Sequence, residues 1–291
     1  MLLPTFQFHE PQSVPEILTL KAEYGEQAKI LAGGTDLIVH LKQGLVSVKH
    51  VISIARVNEL REIRNSAGVI SIGCCVTITE ISESDLIKTT LSAVKEGADN
   101  LASILVRNRA TIGGNICNAS PAADMIPSLL AYGTKVEIAS ASGTREMELK
   151  DFFTGPGKTD LKDDEVILYF KVPVPPEKSG CSYIQLGKRK SQEINIVNVG
   201  SFISLNGGGN IETARIALGS VGPTPLRALK AESVLIGNKP STDLFAKAAV
   251  TAGTEDSSPI DDFRGSAQYR RAMTEVLTKR TLQRAYTGAT A

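Results

Sequence analysis

The stretch TIGGNICNASPAAD, residues 111–124, says most about how this chain folds. Two adjacent glycines directly precede Asn115, and the stretch contains no histidine and no lysine. A second glycine pair occurs in AGGTD, residues 32–36, about eighty residues upstream. Because glycine has no Cβ, each pair allows a turn with positive φ and a close approach of the backbone to a ligand. Both pairs follow an apolar run and precede a polar side chain, so we interpret them together.

The two glycine pairs predict a site for an anion with two phosphates. Backbone N–H groups that such turns leave free can form a concave nest for an anion. Thr35 and Asp36 start a predicted helix, DLIVHLKQG, whose N-terminus also favours phosphate. Thr111 and Asn115 add a hydroxyl donor and an amide donor, so a pyrophosphate can be held without lysine or arginine. Either pair alone is more often a simple turn.

Other nucleotide and hydrolase motifs find no support. GPGKT, residues 155–159, differs from a triphosphate-binding loop because Phe152 stands where the first glycine is required. The dinucleotide pattern GxGxxG and the nucleophile pattern GxSxG do not occur. All three histidines lie within the first fifty residues, which gives a Ser-His-Asp triad little support.

Composition indicates an ordinary globular chain of 291 residues. Its 32 basic and 31 acidic residues nearly balance, which argues against a nucleic-acid or membrane-surface partner. No apolar run approaches the ~20 residues of a membrane span, and no signal peptide is evident, so a cytoplasmic location is expected. The four cysteines (Cys74, Cys75, Cys117 and Cys181) include no Cys-x-x-Cys pair. They are expected to be core residues rather than metal ligands, with Cys74 and Cys75 on opposite faces of a strand.

The chain is predicted to be α+β. Ser13 and Gly25 bound a predicted helix, and AKIL, VKHVISIAR and VILYFKVPV read as strands. Residues 68–81, GVISIGCCVTITEI, predict paired strands because they are rich in β-branched side chains. TTLSAVKEGADNLAS predicts one helix, and a hairpin is expected around Ser142 and Gly143.

We predict a first domain over residues 1–175, with subdomains of about 1–56 and 57–175, and a second domain over 176–291. PPEKSG, near the boundary, is the best linker in the chain. Three strand-like runs follow, the first of them SYIQLGKRK, and then helices. In the last helix Tyr269, Met273, Val276, Leu277 and Arg280 recur at helical spacing, which indicates core packing or a subunit contact.

AGGTDL and RNRATIGGNICNASPAAD resemble the two FAD-binding signatures of the flavoprotein subunit of molybdenum hydroxylases. This family includes xanthine dehydrogenase, aerobic-type carbon monoxide dehydrogenase and nicotinate dehydrogenase. The resemblance covers nearly the whole chain, including FQFHEPQSVPEIL, DFFTGPGKT and KVPVPP. It implies a two-subdomain FAD-binding fold of the vanillyl-alcohol-oxidase type with the flavin between the subdomains, followed by a smaller C-terminal α+β domain with an antiparallel sheet and helices.

The resemblance also implies which residues contact FAD, and no side chain need be catalytic because the flavin carries the chemistry. The first signature contributes Lys29, Ile30, Leu31, Ala32, Gly33, Gly34, Thr35 and Asp36. The second contributes Ala110, Thr111, Ile112, Gly113, Gly114 and Asn115. The remaining matching positions are Leu101, Asn118, Asp124, Ile167 and Lys188.

Three positions leave alternatives or mark a departure. Asp124 matches a cofactor contact, but it also fits the N-cap of a helix starting at Met125, and both roles can coexist. Lys188 matches a lysine near the flavin ring, or it is a solvated charge at a strand end. Ile194 stands where carbon monoxide dehydrogenases place an aromatic residue, which resembles members of the xanthine dehydrogenase type. The insertion that carries an extra [4Fe–4S] cluster in some relatives is missing.

The resemblance implies an electron-transfer role. A separate large subunit carries molybdopterin, and a separate small subunit carries two [2Fe–2S] clusters. This chain passes electrons through FAD to NAD⁺ or another acceptor, in a complex expected to be a dimer of heterotrimers. The alternatives are a stand-alone FAD oxidoreductase with its own small-molecule substrate and an assembly protein that has lost the flavin. The intact glycine signatures argue against the last.

Overall fold

The computed structural model of the chain describes residues 2–189 and 192–291. Helices and strands are mixed throughout this part of the chain. The helices are Val14–Tyr24 (α1), Leu37–Gln43 (α2), Ile78–Glu83 (α3), Asp85–Thr90 (α4), Ser92–Asn100 (α5), Ile104–Arg107 (α6), Ile112–Cys117 (α7), Met125–Tyr132 (α8), Leu229–Leu235 (α9), Thr242–Thr251 (α10) and Ala267–Ala289 (α11). The strands are Gln7–His9 (β1), Ala28–Leu31 (β2), His50–Ser53 (β3), Ile63–Ser66 (β4), Val69–Gly73 (β5), Lys135–Ser140 (β6), Gly143–Glu148 (β7), Phe153–Gly155 (β8), Lys158–Thr159 (β9), Val166–Pro173 (β10), Ser179–Leu186 (β11), Val197–Leu205 (β12), Ile211–Gly219 (β13) and Leu226–Arg227 (β14).

A small parallel sheet opens the chain, with strand order β1-β3-β2. Helix α1 connects β1 to β2 and begins where predicted, because the Ser13 side chain accepts the Glu16 N–H. It ends at Gly25, whose φ of 46° suits glycine. The carboxyl ends of the strands lie at one edge of this sheet, and the first glycine pair directly follows β2 there.

An antiparallel sheet of five strands follows, in the order β4-β5-β10-β6-β7. Helices α3 to α8 lie between β5 and β6 in the chain, and the second glycine pair is in α7. Helix α8 is the most enclosed element, since every residue from Met125 to Tyr132 is buried. The side chains of this sheet and of α8 share one continuous apolar core.

A four-stranded antiparallel sheet, β11-β12-β13-β14, forms the C-terminal part with α9, α10 and α11. It has its own apolar core, which includes Val199, Ile216 and Leu282. Helix α11 lies directly on β11, because a Cβ at Gly180 would stand 2.1 Å from the Ala285 carbonyl oxygen. The two parts meet where α8 packs on β12 and β13, and a Cβ at Gly200 would stand 2.5 Å from the Pro127 carbonyl oxygen.

Residues 68–81 do not form paired strands as predicted. Only Val69–Gly73 is a strand, and it pairs with β4 and β10. The remainder turns into α3 because Thr77 and Glu80 form a capping box, in which each side chain accepts the other's backbone N–H. Cys74 and Cys75 therefore lie beyond the strand, both buried, with their Sγ atoms 3.9 Å apart.

Two further predictions from helical pattern need correction. The segment predicted as one helix is two, α4 and α5, which are separated at Leu91. In α11 the predicted stripe is only partly right, since Leu277 is buried but Tyr269 is 43% exposed. The helix instead buries a face rich in polar side chains. That face consists of Arg270, Thr274, Leu277, Thr278, Thr281, Leu282, Ala285 and Ala289.

Candidate functional site

The first glycine loop leaves a row of backbone donors unused. It runs from the end of β2 to the start of α2, and Gly34 has a φ of 79°, which favours glycine. The N–H groups of Gly33, Gly34, Thr35 and Asp36 donate to no acceptor in the part of the chain that the structure describes. Asp36 occupies the N-cap position of α2 without a side-chain capping bond. Such a row of free donors suits an anion.

The second glycine loop is different, and here the prediction of free N–H groups is wrong. Ile112 N–H donates to the Val76 carbonyl at 3.0 Å, and Gly113 N–H donates to the Cys74 carbonyl at 2.9 Å. Gly114 N–H donates to Thr111 Oγ1 at 3.0 Å, which caps α7. The loop is held by the neighbouring chain, so it offers side chains instead. The Thr111 hydroxyl keeps its proton for a further bond.

The two loops touch each other. A Cβ at Gly33 would stand 1.9 Å from the Arg109 carbonyl oxygen and 3.0 Å from Ala110 Cα. Only glycine allows this approach of the two backbones. Beyond the contact, the Asn118 amide at the end of α7 donates to Asp36 Oδ1 at 3.4 Å. The pairing of the two signatures in the sequence is therefore a pairing in space.

The joined loops border a cleft of about 910 Å³, a volume within the range of ligand pockets. Seventeen of the predicted contact residues line it. They are Lys29, Ile30, Leu31, Ala32, Gly33, Gly34, Thr35, Asp36, Leu101, Ala110, Thr111, Gly113, Gly114, Asn115, Asn118, Asp124 and Ile167.

Two predicted residues lie elsewhere. Ile112 is fully buried in the core behind the loop. Lys188 is exposed, and its Nζ donates to the Phe263 carbonyl at 2.7 Å, so it connects the end of β11 to the turn before α11. The KRK stretch that contains Lys188 ends at Lys190, outside the described residues. Ile194 does line the cleft and is 51% exposed.

One wall of the cleft is an unpaired edge of β10. The strand pairs with β5 only from Tyr169 onward, while its pairing with β6 begins at Val166 and shifts register after Ile167. Val166 and Ile167 therefore face the cleft. The adjoining segment is fixed by Glu165, which receives two bonds from the Arg145 guanidinium at 2.7 and 2.8 Å. The Arg145 guanidinium holds the pKa of Glu165 below its ordinary value.

Two polar residues of the site were not predicted from the sequence. Lys21 lines the cleft and is 6% exposed, and burial lowers its pKa. Its signal was its place on the buried face of α1, four residues after Ile17. Asn195 lies behind the cleft, is 2% exposed, and donates to Asp124 Oδ1 at 2.8 Å. Its signal was a pair of asparagines in the apolar run NIVNV, residues 195–199.

Asp124 does not act as a side-chain cap. It occupies the N-cap position of α8, but its carboxylate makes no capping bond and instead accepts the Asn195 amide. Burial raises the pKa of Asp124 to about 6, although the Asn195 bond opposes the shift. Asp124 is among the residues that line the cleft, so its ionisation changes the charge at the wall of the cleft.

Comparison with known proteins defines the class. Residues 4–175 match the FAD binding domain in molybdopterin dehydrogenase, and residues 182–285 match the CO dehydrogenase flavoprotein C-terminal domain. The xanthine dehydrogenase FAD-binding subunit of Escherichia coli O157:H7 is 31% identical over 284 residues, covering 97% of this chain and 96% of that protein. The carbon monoxide dehydrogenase medium chain of Hydrogenophaga pseudoflava is 33% identical over 287 residues, covering 98% and 99%.

Solved structures agree with the sequence comparisons. Carbon monoxide dehydrogenase from Hydrogenophaga pseudoflava matches with a TM-score of 0.94 at 32% identity, covering 99% of each chain. Quinoline 2-oxidoreductase from Pseudomonas putida 86 matches with a TM-score of 0.92 at 30% identity, covering 100% of each chain. The chain belongs to the FAD-binding, or medium, subunits of the molybdenum hydroxylase family. The expected fold class, a FAD-binding domain with a C-terminal α+β domain, is confirmed.

The residues present fit FAD. Four unused N–H groups are available for an anion, and Asn115 Oδ1 is buried without a partner among the described residues. Gly114 lines the cleft, and a Cβ there would meet only Thr111 Oγ1, at 3.2 Å. No group of three or more possible metal ligands occurs in residues 2–189 and 192–291. Over the same residues, no helix has the length and apolar character that a membrane span requires.

Proposed function

We propose that this chain is the FAD-carrying electron-transfer subunit of a molybdenum-dependent hydroxylase or dehydrogenase complex, with the FAD pyrophosphate held at the joined glycine loops. The observation that carries this proposal is the row of unused N–H groups from Gly33 to Asp36, which faces a cleft closed by the second loop. FAD, when bound, supplies the redox chemistry, taking electrons from iron–sulfur clusters and passing them to NAD⁺ or another acceptor.

The chain's own groups bind and orient the cofactor. We assign anion binding to the first loop and hydroxyl and amide contacts to Thr111 and Asn115. We assign the apolar wall to Leu101 and Ile167, which are 5% and 3% exposed and exclude water from that side. The other residues that the resemblance implies, including Lys188, remain proposed contacts. The potential of flavin bound to Lys188→Ala, compared with the unchanged protein, tests whether that cation acts on the ring.

We propose that the FAD-binding domain spans residues 1–175, with subdomains of about 1–56 and 57–175, and that the C-terminal domain spans 176–291. Two separate apolar cores support this division, as do the two family matches. The parallel sheet lies in the first proposed subdomain and the five-stranded sheet in the second. The glycine loops come from different proposed subdomains, which supports a FAD site between them.

We propose partners that carry molybdopterin and two [2Fe–2S] clusters, in a dimer of heterotrimers. One relative is named as a medium chain and another as a subunit of a dehydrogenase complex, which supports the presence of partner subunits. We propose a functional likeness to xanthine dehydrogenase-type members, supported by the aliphatic Ile194 on the cleft. We propose that the molybdenum-carrying partner, rather than this chain, selects the substrate. NAD⁺ is the acceptor that we propose to test first.

Co-purification of the tagged chain from its source tests the assignment. We expect two further subunits, molybdenum, and one FAD for about four iron atoms, as two [2Fe–2S] clusters require. Mixing the reduced, FAD-loaded chain with NAD⁺ without oxygen should restore the spectrum of oxidised flavin. If a small-molecule substrate reduces the flavin of the isolated chain without partners, the stand-alone oxidoreductase is the better assignment.

A further inference from the structure

We propose that Asn195 is a positioning residue of the FAD site: it reaches from the C-terminal domain and holds the Asp124 carboxylate as a hydrogen-bond acceptor for the cofactor. The inference rests on the proposed function, because it takes FAD as the occupant of the cleft. It assigns the C-terminal domain a part in cofactor retention, although that domain contributes neither glycine loop. Retention of FAD then depends on how the two domains pack.

The geometry of Asn195 is that of a clamp on the segment between α7 and α8. Its Nδ2 donates to Asp124 Oδ1 at 2.8 Å and to the Ala122 carbonyl at 3.2 Å. Both acceptors line the cleft, and both directly follow the second glycine loop. Asn195 is 2% exposed and precedes β12 by two residues, so the sheet fixes its position.

The other end of the Asn195 amide has no partner. Its Oδ1 is buried and accepts no hydrogen bond from the residues that the structure describes. A buried acceptor without a donor is costly, and Asn198, three residues further along, has an orphaned Oδ1 too. Asn115, on the glycine-loop side, has an orphaned Oδ1 as well. Of these asparagines, Asn115 is the one that lines the cleft.

Several ionisable groups surround Asp124. The Tyr183 phenol on β11 has its pKa raised by burial and by the Asp124 charge, and Glu96 on α5 accepts the Tyr183 N–H. Arg215 on β13 lies at the far end of α8, beside Gly133, and Glu193 lies on the cleft-lining segment. Within the described ranges no cation forms an ion pair with Asp124. The Asn195 amide is therefore the polar partner that favours the carboxylate.

This arrangement predicts the direction of a pH effect. Burial raises the Asp124 pKa to about 6, so the group is ionised and accepts hydrogen bonds at neutral pH. As the pH falls through this value, the carboxylic acid forms and the acceptor is lost. FAD affinity should therefore be constant above the transition and weaken below it.

The test is a fluorescence titration of the flavin-free chain with FAD from pH 5 to pH 8. In Asn195→Leu we expect the dissociation constant at pH 7 to rise about tenfold, the worth of one bond to a charged group. The pH transition of this variant should move upward, because the Asn195 hydrogen bond that stabilises the ionised form of Asp124 is lost. In Asn195→Asp the transition should move further, since two carboxylates would share one proton.

Asn198→Leu is the matched control. Asn198 lies three residues further along and also donates to the FAD-binding domain, to the Ala123 carbonyl at 3.1 Å, but it contacts no carboxylate. Its substitution should lower the melting temperature and leave the pH transition where the unchanged protein has it. Melting curves of all variants establish whether each is folded. If Asn195→Leu does not fold, the test is made with Asn195→Asp, which keeps the shape of asparagine.

The outcomes separate the two proposals. If the unchanged chain binds no FAD at any pH, even with its co-purified partner subunits present, the proposed function fails and this inference fails with it. If the unchanged chain binds FAD, but both Asn195 variants keep its affinity and its transition, only the inference is overturned. A shift in both Asn195 variants and none in Asn198→Leu supports the positioning role.

Discussion

At the scale of single residues, the site depends on glycines that do different things. Gly33 is required by the protein itself, since its Cα lies against the Arg109 carbonyl. Gly113 is held in the same way against Cys74, where a Cβ would stand 2.6 Å from the carbonyl oxygen. At Gly114 a Cβ would meet no backbone atom and only the Thr111 hydroxyl oxygen, at 3.2 Å. The sequence motif does not distinguish these roles, but substitutions should.

Gly33→Ala should separate the two loops. The added Cβ would stand 1.9 Å from a backbone oxygen, so one loop must move. We expect loss of bound FAD together with a stability loss of about 1–3 kcal/mol, measured by flavin content and urea unfolding. Gly207→Ala is the control, because a Cβ there meets no atom within 4 Å. Full FAD content in Gly33→Ala would show that the contact between the loops is not needed for binding.

Gly114→Val should behave differently. A Cβ at this position meets only Thr111 Oγ1, at 3.2 Å, so the larger side chain projects into the cleft rather than into the protein. We expect a melting temperature close to that of the unchanged flavin-free chain and loss of flavin. Flavin content after gel filtration, with the melting curve beside it, is the measurement. Normal FAD occupancy would overturn the assignment of this loop to the cofactor.

At the scale of elements, predictions from local sequence were correct where neighbouring residues alone form the cap or the turn. Ser13 and Gly25 bound α1 as predicted, and the hairpin around Gly143 formed because its turn residues and its alternation agree. The prediction of paired strands over residues 68–81 was wrong because the Thr77–Glu80 capping box starts a helix despite the β-branched composition. In the second glycine loop, N–H groups expected to be free are used by Val76 and Cys74, which lie far away in the sequence.

Helix α11 shows why its packing could not be predicted from apolar spacing. Its buried face begins with Arg270, which is 4% exposed and donates to the carbonyls of Ile196 and Ser220 and to Asp262 Oδ1. The spacing of apolar residues cannot predict the buried face of a helix that is anchored by a buried guanidinium. This anchor fixes α11 against the strands and the turn that also receives Lys188.

Asp262→Asn should weaken this anchor. Burial acts to raise the pKa of Asp262. Hydrogen bonds from the Arg264 N–H and from Arg270 outweigh burial and hold this pKa at about 2, below an unfolded value of about 3.9. Because the folded pKa is depressed, the stabilisation is present above about pH 4 and is lost as the pH falls toward 2. We expect a loss of about 1–3 kcal/mol at pH 7, measured by urea unfolding.

The pH dependence supplies the check on Asp262. The difference between the unchanged protein and Asp262→Asn should shrink when unfolding is repeated near pH 2.5. Asp151→Asn, which removes an exposed pair with Lys150, should cost under about 0.5 kcal/mol at pH 7. A difference for Asp262→Asn that stays constant with pH would show that the charge of Asp262 does not carry the effect.

At the scale of the whole molecule, the cofactor cleft is assembled from parts that are distant in the chain. The first loop, the second loop and β10 supply its walls, and the C-terminal domain supports Asp124 from behind. The sequence could reveal the loops because each is a local motif with a local cause. It could not reveal Lys21 or Asn195 as site residues, because their burial depends on the packing of elements that are far apart in sequence.

The central claim is that the joined glycine loops hold FAD, and the absorption spectrum of the purified chain tests it most directly. The protein is then heated, and the released flavin is identified by chromatography. We expect an oxidised-flavin spectrum and release of FAD, or uptake of added FAD by colourless protein with a stoichiometry of about one. A colourless chain that takes up no FAD, even with its co-purified partner subunits present, would contradict the account, since the two loops would then be turns and no more.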